Sequence, residues 1–191
     1  MNTPNKLTVA RMIATPVFMA LLLFEFPHHY LAALILFIAA SLTDLIDGKL
    51  ARKNNMITDF GKFLDPLADK MLTTAAFLGF IEKGIGHGIT WIAFIVLLRE
   101  FLITSLRLIS AGRGKVIAAN MWGKCKTVSQ MVAIIFVLAS QYLMSVVTPA
   151  DAALLAITVI TDVVLWVSAA LTVISGLTYV KENKQFIDPK K

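Results

Sequence analysis

Four aspartates, Asp44, Asp47, Asp65 and Asp69, stand close together in a chain that is otherwise strongly apolar. Asp44 and Asp47 are three residues apart and Asp65 and Asp69 four apart, so on two helices each pair shares a face. The link between the pairs is short and carries Asn54, Asn55 and Gly61, which makes the two helices antiparallel neighbours and brings the four carboxylates together. Clustered carboxylates repel, and two in one site do not easily both ionise. A divalent cation removes that conflict, and an all-oxygen donor set suits Mg²⁺ or Mn²⁺ and not zinc. Ionisable groups within apolar spans are costly and are functional by default.

The residues around the acids extend the chemistry to a phosphate. Gly48 follows Asp47 and lets a ligand approach the backbone closely; Ala51 keeps that face open. Arg52, one helical turn beyond Gly48, has the fork that grips a phosphate at two points. Gly61 precedes Asp65 by four residues, and Pro66 either kinks the third helix or marks its true start. A purely structural alternative is an acid–base network in which Arg52, Lys62 and Lys70 lock two helices together; it explains neither the spacing nor the glycines. The three histidines, His28, His29 and His87, fall on the opposite side as interfacial loop residues and are poor ligands for this site.

These acids must be positioned by membrane helices. Of the 191 residues, 58% are hydrophobic and 16% charged, against about 25% charged in soluble domains. Six stretches approach the roughly 20 residues that a span requires: Leu7–Phe26, Tyr30–Leu50, Lys62–Ile81, Ile89–Ile109, Met121–Met144 and Ala152–Val180. The breaks fall at Phe26–His29, Arg52–Phe60, Lys83–Gly88, Ala111–Lys115 and Val147–Asp151. The expected fold is an all-α integral membrane protein, a bundle of six transmembrane helices in a single domain, 1–191. No cleavable signal peptide is evident, so the first span is expected to be retained.

With the N-terminus on side one, that side receives Lys6, Arg11, Lys49, Arg52, Lys53, Lys62, Arg107, Arg113, Lys115, Lys124, Lys126, Lys181, Lys184, Lys190 and Lys191, and side two receives only Lys83. The bias makes side one, with both termini, cytoplasmic. Topology and anionic headgroups thus account for the net charge of +6 without nucleic acid as a partner. The single cysteine, Cys125, excludes an intramolecular disulfide and is expected to be a small packing residue.

The pattern Asp44-x2-Asp47-Gly48-x2-Ala51-Arg52-x8-Gly61-x3-Asp65-x3-Asp69 resembles the signature of the CDP-alcohol phosphotransferases at all eight of its defined positions. Within that family the opening Met1–Arg11, the run Gly61–Lys70, Arg99-Glu100-Phe101 and Gly123–Thr127 resemble the bacterial phosphatidylglycerophosphate synthase branch. The resemblance implies a cell-membrane enzyme, homodimeric, that transfers a phosphatidyl group from CDP-diacylglycerol to glycerol 3-phosphate with release of CMP, its site facing the cytoplasm. It implies that Asp44, Asp47 and Asp65 hold Mg²⁺ or Mn²⁺ at the donor pyrophosphate, that Asp69 is the catalytic base and also meets metal, and that Thr8, Gly48, Arg52, Thr58 and Gly61 contact CDP-diacylglycerol.

A phosphorylated acceptor needs further cations. Arg107, Lys124 and Lys126 are candidates for its phosphate, with Gly123 opening the approach to Lys124; the competing role for all three is positive-inside anchoring. Arg99 and Glu100 lie in apolar sequence and are expected to pair with other helices, since neighbours on a helix do not face each other. Asp162 is expected to neutralise Arg99 or face a polar cavity. Trp91, Trp122 and Trp166 read as lipid-facing, packing or interfacial. Two alternatives remain at this point. One is a sister enzyme using inositol phosphate, serine or phosphatidylglycerol as acceptor; the other is a divalent-cation transporter, which leaves Gly48 and Arg52 unexplained.

Overall fold

The computed structural model describes residues 3–54, 59–112, 121–147 and 149–184, with side chains described outside 3–5, 44–54, 59–66 and 69. Among the described residues the chain is helical, without strands: α1 (Thr3–Leu23), α2 (His29–Asn54), α3 (Asp59–Glu82), α4 (Ile89–Gly112), α5 (Met121–Val146) and α6 (Asp151–Glu182). Each falls on one expected apolar stretch, α4 and α5 begin where those stretches begin, and α1 ends at Leu23, three residues before the expected end at Phe26. Among the described residues, three helices contain segments long and apolar enough to cross a membrane: Lys6–Leu23, Met121–Val146 and Asp151–Glu182.

The helices overrun the apolar stretches at the acidic end. α2 continues through Lys49, Arg52 and Lys53 to Asn54, and α3 starts at Asp59. The reading of Pro66 as the start of the third helix is therefore corrected: it is an interior residue of α3. Lys, Leu, Ala and Arg are good helix formers, so loss of apolarity after Leu50 does not end α2.

Packing divides the chain into two compact units. The first comprises Met1–Ile85 and Ile134–Ile157, and in it α1 packs against both α2 and α3. The packed positions repeat at alternate spacings of three and four, the period that keeps one stripe facing its neighbours. In α1 they are Thr8, Arg11, Thr15, Phe18 and Leu22, and in α3 Ala68, Leu72, Ala75 and Gly79. In α2 they are Ala33, Phe37 and Ala40. Phe18 and Phe37 join α1 to α2, with ring centroids 5.7 Å apart. Leu22 lies so close to Gly79 that no side chain fits between α1 and α3 there.

The second unit comprises Gly86–Ala133 and Thr158–Lys191. Its stripes have the same period: Ile89, Ile92, Val96, Ile103, Leu106 and Ser110 on α4, and Thr161, Leu165, Ser168, Thr172, Ser175 and Tyr179 on α6. Polar residues dominate the α6 stripe, and two of them bond back to their own helix. Ser168 donates to the Leu165 carbonyl and Thr172 to that of Ser168, while Gln130 of α5 donates to Thr172 Oγ1 at 2.9 Å. Such bonds are the usual way for hydroxyl groups to be tolerated between helices in lipid.

Candidate functional site

The four aspartate positions are held by the ends of two helices. Asp44 and Asp47 lie in α2, together with Gly48, Ala51 and Arg52; Gly61, Asp65 and Asp69 lie in α3. Positions 44 and 47 continue the spacing of the packed stripe Ala33, Phe37, Ala40, and position 65 continues that of Ala68, Leu72 and Ala75. The side chains of these acids, of Arg52 and of Gly61's neighbours to 66 lie outside the described residues, as does Thr58 entirely. Among the described residues no group of three or more His, Cys, Asp or Glu could hold a metal ion.

α1 serves as a ruler for these positions. It runs antiparallel to α2 and parallel to α3, as alternating helices joined by short turns must. Counting back seven residues from the Phe18–Phe37 contact brings position 11 of α1 level with 44 of α2, and position 8 level with 47. Counting back from the Leu22–Gly79 contact brings position 8 level with 65 of α3, and position 12 level with 69. At about 1.5 Å of rise per residue, the four aspartate positions therefore occupy one slab about a helical turn thick. Four aspartate positions on two helices at a common level, with no histidine or cysteine among them, are of the residue type that suits a hard divalent cation. Thr8, expected at the donor, is on this slab and is 2% exposed.

The cations expected at the acceptor phosphate belong to the second unit, and they differ from one another. Lys126 is buried and is ion-paired through its Nζ with Glu100 Oε1. Arg107 donates from Nε to the Tyr179 hydroxyl at 3.0 Å, and its guanidinium lies 5.5 Å from the centre of that ring. Lys126 is thus brought to the packed interior of the unit by its partner on α4, Arg107 stays exposed while it leans on Tyr179 of α6, and Lys124 is exposed.

Arg99 and Glu100 do reach other helices. Arg99 donates to Ser175 Oγ of α6 at 2.8 Å, and Glu100 takes Lys126 of α5. They also bond each other, at 3.1 Å, against the expectation for adjacent helical residues. The long arginine arm makes this possible: its Cγ lies against Gly176, where an added Cβ would sit 3.1 Å away, and the guanidinium reaches back along the helix. The result is one chain of charge, Ser175–Arg99–Glu100–Lys126, joining three helices.

Asp162 does not neutralise Arg99. It accepts from the backbone N–H of His87 at 2.8 Å and meets the His87 ring Nδ1 at 2.6 Å. Trp166, one turn on, donates its indole N–H to the His87 carbonyl at 3.1 Å. The turn before α4 fits against α6 because Gly86 and Gly88 have φ of 91° and 74° and offer no Cβ to Leu165 and Trp166. Asp162 and Trp166 are therefore a clasp for this turn. Cys125 is exposed and not a packing residue.

Sequence reasoning did not find Tyr179 and Ser175 as partners of the basic residues, nor the burial of Arg11. Their signal is the alternate three-and-four spacing, which continues straight through polar residues that an apolarity scan discards.

Comparison with known proteins converges on one family. The profile of the CDP-alcohol phosphatidyltransferases matches residues 1–174. A CDP-diacylglycerol–glycerol-3-phosphate 3-phosphatidyltransferase of Bacillus subtilis is 41% identical, over 95% of both chains. A protein of the same name from Rickettsia bellii is 34% identical over 97% of both. A probable phosphatidylglycerophosphate synthase of Mycobacterium tuberculosis is 41% identical over 92% of this chain and 85% of its own.

Proposed function

The chain belongs to the CDP-alcohol phosphatidyltransferase family, and from that premise we propose that it transfers the phosphatidyl group of CDP-diacylglycerol to glycerol 3-phosphate, giving phosphatidylglycerophosphate and CMP. The observation that carries this reading is near end-to-end similarity to relatives named for this reaction, together with all eight positions of the aspartate pattern. The reaction supplies the head of phosphatidylglycerol biosynthesis.

In this reading Asp44, Asp47, Asp65 and Asp69 would hold Mg²⁺ or Mn²⁺, which would supply positive charge against the donor pyrophosphate and the departing CMP. Asp69 accepts the proton of the attacking glycerol hydroxyl. The hydroxyl oxygen forms a bond to the phosphatidyl phosphorus, the bridging P–O bond breaks, and CMP leaves with its electron pair. Thr8, Gly48, Arg52, Thr58 and Gly61 line the donor headgroup, and Arg107, Lys124 and Lys126 take the acceptor phosphate. Charge placement and alignment carry most of the acceleration, as in other phosphoryl transfers, and no covalent enzyme intermediate is needed.

The six helices form a single membrane domain of six spans with both termini cytoplasmic, which puts the basic residues and the aspartate slab on the cytoplasmic side of the cell membrane. Acyl chains then stay in lipid while the nucleotide and the acceptor come from water. The enzyme acts as a homodimer. The test is incorporation of labelled glycerol 3-phosphate into chloroform-extractable lipid by the purified chain. Label should enter lipid only when CDP-diacylglycerol and Mg²⁺ or Mn²⁺ are both present; labelled serine entering in its place would overturn the choice of acceptor.

A further inference from the structure

α1 places a charged residue where its packing stripe calls for an apolar one. Lys6 is exposed, as expected of a residue that anchors a helix end. Arg11 is not: it is 6% exposed, on the same stripe as Thr8, Thr15, Phe18 and Leu22. Thr15 Oγ1 bonds the Arg11 carbonyl at 3.0 Å and draws that hydroxyl into the backbone. A guanidinium removed from water in an apolar helix is expensive unless negative charge compensates it. Positive-inside anchoring explains Lys6 and does not explain Arg11.

The level of Arg11 identifies the compensation. By the Phe18–Phe37 contact it is opposite position 44, and by the Leu22–Gly79 contact it is opposite 68, one residue from 69. Two independent contacts on two different helices thus set it in the aspartate slab, on the helix that packs against both aspartate-bearing helices.

We propose that Arg11 is a fixed counter-charge built into the aspartate site, a positioning residue that holds the carboxylates together before metal arrives and shares their neutralisation with the metal afterwards. The inference rests on the reading of Asp44, Asp47, Asp65 and Asp69 as metal ligands. A fixed positive charge in such a site has two opposite consequences. It stabilises the metal-free protein, because four carboxylates at one level repel. It also weakens metal binding, because it repels the incoming cation. A residue that merely fills space does the first without the second.

The experiment measures Mn²⁺ binding by electron paramagnetic resonance, and melting with and without Mn²⁺, on the detergent-solubilised full chain at pH 8. Arg11→Met and Arg11→Gln should melt lower than wild type without metal and bind Mn²⁺ about tenfold more tightly, the expected effect of removing a like charge at helix-packing distance. The melting gap should narrow at saturating Mn²⁺. Arg11→Lys keeps the charge and should match the wild-type affinity. Unchanged Mn²⁺ affinity in the neutral variants, with Asp44→Asn and Asp65→Asn abolishing binding, would leave the metal site standing and overturn the role of Arg11. A large affinity change in Arg11→Lys would overturn it too, and needs no neutral variant to fold. Wild type binding Mn²⁺ no better than Asp44→Asn and Asp65→Asn would instead sink the metal site, and the counter-charge with it.

Discussion

Leu22 of α1 covers Gly79 of α3 so closely that a Cβ at residue 79 would collide with the Leu22 methyl and force one of them to shift. The contact stands eleven residues from Arg11 and fourteen from Thr8 along α1, and fourteen from position 65 along α3. It works as a pin for the slab at the other end of the unit. Leu22 is fully buried.

Gly79→Ala should therefore destabilise the protein despite gaining helix propensity. Overpacking costs about 1–3 kcal/mol, against a gain of about 1 kcal/mol for replacing glycine in a helix. Activity should fall further than stability, since a shifted α1 moves Thr8 and Arg11 off the level of the acids. Leu22→Ala in the same chain should restore much of both, which a double-mutant cycle of melting temperature and CMP release will read.

The Glu100–Lys126 pair separates stability from acceptor recognition. Both side chains are mostly buried, at 15% and 8% exposure, and removing one partner of a buried pair costs about 3–5 kcal/mol. Glu100→Gln and Lys126→Met should each lower the melting temperature sharply. Glu100→Met with Lys126→Met should recover only part of that loss, because the lysine charge is gone while Arg99 has still lost its carboxylate. Activity should not return, and KM for glycerol 3-phosphate should stay raised while KM for CDP-diacylglycerol does not change.

Tyr179→Phe tests the setting of Arg107 more gently. The ring under the guanidinium stays, and only the hydrogen bond at 3.0 Å is lost. A single neutral acceptor is worth about 1 kcal/mol, so KM for glycerol 3-phosphate should rise several-fold with little change in melting temperature. Equal effects on both substrates would show that Arg107 does not meet the acceptor.

The ion pair between Lys83 and Glu25 links the end of α3 to the turn after α1, at 3.1 Å. The hydrogen bond from Lys83 and its charge hold the Glu25 carboxyl below the usual carboxylate range. A lowered pKa contributes stability above the ordinary carboxylate range, and that contribution is lost as pH falls through the lowered value. Glu25 is exposed, so solvent screens the pair. Glu25→Gln should leave the melting temperature at pH 7 nearly unchanged and flatten only the acid limb of its pH profile.

Element count and element positions were legible because an apolar stretch of about 20 residues matches the thickness of a bilayer and satisfies its own backbone there as a helix. Helix ends were less so: α2 and α3 run on through Lys49–Asn54 and from Asp59, where composition turns polar but propensity does not. The acids and their glycines stood out by spacing alone. The partners of individual charges did not, because a long side chain chooses among neighbours that only the packed helices define. Asp162 took the turn at His87 instead of Arg99, and Arg99 folded back on Glu100. Arg11 was legible as a positive-inside charge, yet its burial depends on a stripe shared with Phe18 and Leu22, which is a property of packing.

The most direct measurement is CMP release from CDP-diacylglycerol in the presence of glycerol 3-phosphate and saturating Mn²⁺, compared for wild type and for Asp44→Asn, Asp47→Asn, Asp65→Asn and Asp69→Asn. Each variant should melt as a folded protein and lose activity by about a hundredfold or more, as expected when a group that stabilises developing charge is removed. Wild-type release should vanish with chelator and return with Mg²⁺ or Mn²⁺. A folded variant of any of the four that keeps more than about a tenth of wild-type release, a barrier change under about 1.4 kcal/mol, would contradict the account.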